Sequence, residues 1–485
     1  MKIQDIDVES TIESVKLSLK KEKDLSPALR SSLELLLLLV GLLLNRVTLN
    51  SSTSSIPPAA DPNRKKSSKS KGGKRKAGGQ KGHQGCTLEP VDDPDEIVPI
   101  QIDKRTIPKG GTYTDMGYES RQVVDIRISR VVTEYRAQIL EDSRGYQYTA
   151  PFPAGVIARA QYGNSVKTQA VYLSQYQLIP YARVQDHFND QLLIPLSAGT
   201  IHNFNRKAFD ALEEFEQWVK YQLTHSALLH VDETGINING KRHWLHCASN
   251  LEYTYYFPHE RRGSEAMDEI DILPQFFGVL CHDHWKPYYT YLFCLHQLCN
   301  AHHLRELQRA WEQDAQKWAK SMRKFLVELN AAVDNAEGKL NPDEAKRWHA
   351  RYRRIVKNAQ IECPPPTDNR RKGTRGKLKR SKSRNLLERL IKYEDDVLRF
   401  MSDPMVPFTN NQGENDIRMT KVQQKISGCF RSMDGALISC RIRSYLSTCR
   451  KHGESATDAL TMLFDGQMPS FIGDCAPREA LCPSG

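Results

Sequence analysis

Two stretches of the chain share one construction, a run of apolar residues with a histidine and then an aspartate: Leu228-Leu229-His230-Val231-Asp232 and Gly278-Val279-Leu280-Cys281-His282-Asp283. Short apolar runs of this kind, bounded by polar turns, predict strands in the interior of a sheet. A carboxylate delivered at the end of such a strand is costly unless it is paired or coordinated, so two of them point to a metal site.

The pattern between the two aspartates predicts how the strands are arranged. Gly235 to Ile238 and Arg242 to His246 flank Asn239-Gly240, the strongest short signal for a two-residue hairpin. A third strand over 253–257 follows the Ser249-Asn250 turn, and a helix from Ser264 to Pro274 leads to the second aspartate strand. A right-handed crossover lays that strand beside the first. Three antiparallel strands, a crossover helix and a returning strand resemble a ribonuclease-H-like core. Members of that fold that transfer polynucleotides carry one aspartate on the first strand, one on the fourth and a third carboxylate on a later helix.

Glu414 is the third candidate, in Asn410-Asn411-Gln412-Gly413-Glu414-Asn415-Asp416-Ile417-Arg418. Asn410 or Asn411 is expected to cap a helix on which Arg418, Lys421 and Lys425 share the Glu414 face. Met419, Val422 and Ile426 form an apolar stripe expected to rest on the core. Glu233 alternates to the far side of its strand and Asp416 lies about 200° round its helix from Glu414, so neither is a good substitute.

Elsewhere the pattern predicts a multidomain α+β chain. Residues 1–50 hold a leucine-rich helical segment over 8–47, and 51–85 a flexible linker. Residues 86–165 alternate through Val124, Ile126 and Ile128 and predict a small β-rich module. Residues 166–224 are helical, with a turn and an N-cap at Ser197 that suit a helix-turn-helix. The ribonuclease-H-like core occupies 225–304 and 406–450, a helical and basic insertion 305–405, and a tail 451–485. The apolar run Leu35 to Leu44 covers only about half of a membrane's hydrocarbon layer.

Charge and cysteine content narrow the setting. The net charge is +11 over 485 residues. Nine Lys or Arg, Arg64, Lys65, Lys66, Lys74, Arg75 and Lys76 among them, lie between Arg64 and Lys81 with no acid, and nine more between Arg370 and Arg384. Segments of this composition cannot bury a core and suit a phosphate backbone. Eleven cysteines without a Cys-x-x-Cys pair favour reduced thiols in a cytoplasmic setting. The dense group His282, His284, His296, Cys299, His302 and His303 leaves zinc and a packed structural role both open, with Cys299 and His302 the structural candidates.

His230 to Gly235, His282 to Tyr288, Leu298 to Leu307, the helix from Asn410 to Gly428, the basic tract and Gly78-Gly79-Gln80-Lys81-Gly82-His83 together resemble the insertion sequence 66 family of bacterial transposases. The resemblance implies a DDE-type transposase with Asp232, Asp283 and Glu414 as catalytic and metal-holding residues. It implies two Mg²⁺ ions, for which Mn²⁺ can stand in, with Asp232 bridging both. Double-stranded DNA (element ends and target), a homo-oligomer on paired ends and accessory transposition proteins are the implied partners, with Lys286, Arg418, Lys421 and Lys425 on phosphates. To the cytoplasmic setting the resemblance adds association with the bacterial nucleoid. The family commonly has a cysteine zinc ribbon after the glycine stretch, but Ile100 to Gly111 holds no cysteine. A non-catalytic DNA-binding regulator and a structure-specific nuclease are the alternatives.

Overall fold

The computed structural model describes residues 24–48, 88–366, 378 and 380–473, with a few more before Asp24. The basic stretch Arg64 to Lys81, and with it Arg64, Lys65, Lys66, Lys74, Arg75 and Lys76, lies outside the described residues.

The centre is a mixed sheet of five strands: β1 (Leu228–Ile238), β2 (Lys241–Ser249), β3 (Thr254–His259), β4 (Val279–His282) and β5 (Leu295–Leu298). Their order is β3-β2-β1-β4-β5, with the first three antiparallel in turn and β1, β4 and β5 parallel. The predicted hairpin forms, and Asn239 and Gly240 both take the positive φ that a primed turn requires (49° and 77°). A short helix, Ser264–Ile270, and a turn over Leu273–Gln275 supply the crossover to β4. At its start the strands approach so closely that a Cβ on Gly278 would sit 2.5 Å from the carbonyl oxygen of Ala227. Glycine is required there by space.

Helices cover the sheet and its extensions. On one face α1 (Asn164–Val171), α2 (Tyr181–Leu192), α3 (Ala198–Ala211) and α4 (Glu213–Thr224) share a core with Leu229, Val231 and Leu280. Ser197 caps α3 as expected, accepting from the Thr200 N–H at 3.0 Å. The predicted apolar face of α3, Ile201, Phe204, Ala208 and Leu212, is buried in this core, so the α2–α3 pair is built into the sheet's body. The predicted tail is also part of it. The helix over Ala456–Phe464 buries Ala459, Leu460 and Leu463 against the same core.

The stretch after β5 folds. Helix α5 (Asn300–Glu312) leaves the sheet directly and is followed by helices over Lys317–Asn335, Pro342–Glu362 and Lys382–Lys392. These bury Trp318, Phe325, Leu329 and Leu387 with Val279 and Leu298 of the sheet. Part of the second basic cluster is structural: Arg384 is buried, donates to the Cys363 carbonyl oxygen at 2.8 Å and pairs with Glu388. The chain then returns as α6 (Asn411–Ser427) and α7 (Met433–Lys451).

Two expectations fail for one physical reason, the want of a partner surface. Residues 88–162 run extended and exposed, and the one hairpin there pairs Ile139–Glu141 with Gln147–Thr149. Val124, Ile126 and Ile128 are 62%, 86% and 54% exposed, since among the described residues no second strand or core meets their alternation. On α6, Met419, Val422 and Ile426 are exposed, and Ile417 and Thr420 are the residues that go inward. The leucine-rich helix forms over Pro27–Thr48 with Leu35, Leu36, Leu38, Leu39 and Leu43 exposed. Among the described residues no helix is long and apolar enough to cross a membrane.

Candidate active site

The strand ladder brings the two aspartates together. In the parallel pairing of β1 with β4, Leu228 faces Val279 and His230 faces Cys281. Asp232 and Asp283 each lie two residues beyond the last of these pairs, and the charge of Asp283 is felt at Asp232. Strand alternation turns both side chains to the face opposite Leu229 and Val231. Asp232 accepts from the Glu233 N–H at 2.9 Å, and Asp283 from the Trp285 N–H at 3.0 Å.

Glu414 arrives on the first turn of α6, and Asn410 fixes that turn. The predicted side-chain cap is absent, since Asn410 stands at the N-cap position with its side chain committed to β1. Its Oδ1 accepts from His230 Nδ1 at 2.7 Å, its Nδ2 donates to the Val231 carbonyl oxygen at 2.8 Å, and its backbone N–H donates to Cys299 Sγ at 3.1 Å. Gly413 leaves room for this clamp, as a Cβ there would come within 3.3 Å of the Asn410 amide.

The resulting carboxylates repel one another. Burial first, then the charges of Glu233, Asp283 and, more weakly, Glu414, push the Asp232 carboxyl up to about 8. Burial also raises Glu414, with Asp283 adding to the rise and Arg305 opposing it. Glu414 Oε1 is buried without a hydrogen-bond partner, as is Nε of Arg305. Partly buried carboxylates that feel one another's charge, one of them with an orphaned acceptor, are a donor set that fits a hard divalent cation.

Sequence reasoning missed two neighbours, Arg262 and Arg305, and set a third, Glu233, aside. Glu233, expected at the second rank or on the surface, is buried on the far face of β1, where Arg262 pairs with it and Tyr288 donates to it at 2.5 Å. Burial and Asp283 raise it to about 7 against the pull of Tyr288 and Arg262. Arg262 itself lies between the rings of Trp244 and Trp285, 4.8 and 4.3 Å from their centres. Arg305 reaches the site from α5, one turn after His302, and that three-residue spacing is a signal the sequence does carry.

The remaining candidates divide. Cys299 and His302 come within 4.8 Å of Glu414 and of each other in their ligand atoms. Lys421 donates to the Gly235 carbonyl oxygen at 3.1 Å, with its ammonium pKa lowered by burial and Arg242 and held up by Asp232. Lys286, Arg418 and Lys425 are exposed. Asp416 is tied up by Lys451 at 2.9 Å and is no rival to Glu414.

Over 70 residues the chain is 36% identical to "Uncharacterized protein y4jO" of Sinorhizobium fredii (strain NBRC 101917 / NGR234), a match spanning 14% of this chain and 22% of that relative. A family model described as "Transposase IS66 family" matches residues 159–437, more than half the chain, from just before α1 through the sheet, the helical excursion and α6 into α7. On that match, the chain belongs to the IS66 family of transposases.

Proposed function

We propose that this chain is a DDE-type DNA transposase with a ribonuclease-H-like core, cleaving strands at the ends of an insertion sequence and joining the freed 3′-hydroxyls to target DNA. The β3-β2-β1-β4-β5 order supports the fold. The observation that carries the activity is the convergence of Asp232, Asp283 and Glu414: Asp232, raised to about 8 by burial first and then by Glu233, also feels the charges of Asp283 and, more weakly, Glu414.

Asp232, Asp283 and Glu414 would hold the metal. Bound Mg²⁺, or Mn²⁺ in its place, supplies activation of a water or 3′-hydroxyl and stabilisation of the leaving oxygen in an in-line displacement. The protein's own share is positional. The β1–β4 ladder supports two carboxylates, the Asn410 clamp supports the third, and their partial burial reduces shielding by water. Lys286, Arg418 and Lys425 are free to take phosphates beside the scissile bond, while Lys421 first has to leave Gly235. Terminal repeats, target DNA, a second protomer and accessory proteins are the partners this reaction needs.

The test is to mix the protein and Mg²⁺ with DNA carrying the element's ends. Nicking at those ends that vanishes in Asp232→Asn while DNA binding persists supports the reading, and unchanged cutting removes Asp232 from the mechanism. Joining of a 3′ end to a second duplex separates a transposase from a nuclease.

A further inference from the structure

We propose that Cys299, His302 and Glu414 form a site for one soft divalent ion of the zinc class, which shares Glu414 with the aspartates and ties the start of α6 to the start of α5. Cys299 is the residue before α5, His302 lies in that helix's first turn, and Glu414 in the first turn of α6. Their candidate ligand atoms all lie within 4.8 Å of one another. His302 Nδ1 and Glu414 Oε1 stand 3.8 Å apart, too far for a hydrogen bond, and each is buried with no hydrogen-bond partner.

Two donors about 2.1 Å from one tetrahedral ion stand roughly 3.4 Å apart, so a small contraction closes the site. Two orphaned polar atoms facing each other across that gap are otherwise costly to bury. The donor set decides the ion. A sulfur, an imidazole nitrogen and one carboxylate oxygen suit zinc, whereas magnesium takes oxygens alone. A water completes four-coordination. Binding would displace the Cys299 thiol proton to solvent and replace the 3.1 Å contact from the Asn410 N–H as the principal interaction of that sulfur.

This site stands apart from the cleavage reading, since its occupancy is measured without DNA. Full-length protein stripped with a chelator is titrated with Co²⁺ and followed by absorption. The expected result is one ion per chain with a thiolate-to-cobalt charge-transfer band and the strong visible bands of a tetrahedral site, resistant to excess Mg²⁺ and displaced by Zn²⁺. Cys299→Ser should abolish the charge-transfer band, and His302→Gln should weaken binding by at least about tenfold. Both variants should melt where the chelator-treated parent does. A parent that takes up no cobalt, or variants with the parent's spectrum and affinity, would overturn the proposal. Should either variant fail to fold, anomalous diffraction at the zinc edge from the parent decides instead. A peak among the three residues supports the site, and none after zinc soaking overturns it.

Discussion

Asp232 and Asp283 reach the site along neighbouring strands, whose main-chain ladder is registered from Leu228–Val279 to His230–Cys281. Glu414 reaches it after about 130 residues of intervening chain, on a helix held to β1 through the side chain of Asn410. The two routes differ in what they depend on. A ladder of backbone bonds tolerates most side-chain changes, and its weak point is the one place where strands meet too closely for a Cβ. A side-chain clamp concentrates the positioning of a helix in one residue, where a single substitution removes two hydrogen bonds at once.

The largest effects should not distinguish the routes. Asp232→Asn and Glu414→Gln should each lower end cleavage by at least about 10³-fold with the fold retained, and a Glu414→Gln protein that cuts normally would leave only the strand pair in the site. Asn410→Ala separates them. It leaves His230 Nδ1 and the Val231 carbonyl buried without partners, at about 2–4 kcal/mol in denaturant unfolding. Its cleavage defect should approach that of Glu414→Gln while metal binding by the aspartates survives. Gly278→Ala attacks the ladder instead, pressing a methyl group onto the Ala227 carbonyl, and should cost about 1–3 kcal/mol or more while weakening metal binding at both aspartates.

A gentler probe is pH. Asp232 in the metal-free fold keeps its proton to about 8, whereas the unfolded chain releases it near the ordinary aspartate value of 3.8. Between those limits the folded state binds the extra proton, so metal-free stability should fall as pH rises from about 4 to about 8. Glu233, raised to about 7, adds to the same trend. Mg²⁺ has to displace the Asp232 proton, so its affinity should climb through that range and level off above it. Calorimetry in buffers of different ionisation heat reads the released proton, and Asp232→Asn should abolish most of it. Smallest of all, Arg418→Ala should leave stability unchanged and reduce the salt slope of DNA binding by about 1.

Legibility in the sequence followed the same division. The strand order and the Asp232–Asp283 pair could be read because apolar runs, Asn239-Gly240 and the crossover are local signals whose consequences propagate through a ladder. The Asn410 clamp could not, since its partners His230 and Val231 lie about 180 residues away and a helix-start asparagine reads as a cap. Met419, Val422 and Ile426 misled because an apolar stripe states a capacity for burial without naming a surface to receive it. The alternation at Val124, Ile126 and Ile128 misled in the same way. The helix over Ala456–Phe464 was passed over as tail, although its Ala459, Leu460 and Leu463 spacing fits a buried face.

The central claim is that strand ladder and clamp converge on one metal centre. Anomalous diffraction from crystals soaked in Mn²⁺ tests it most directly. The account predicts manganese between Asp232 and Asp283, with Glu414 completing the ligand set and Asp283→Asn removing the peak. Ordered carboxylates with no manganese between them, or manganese held elsewhere and indifferent to Asp283→Asn, would contradict it.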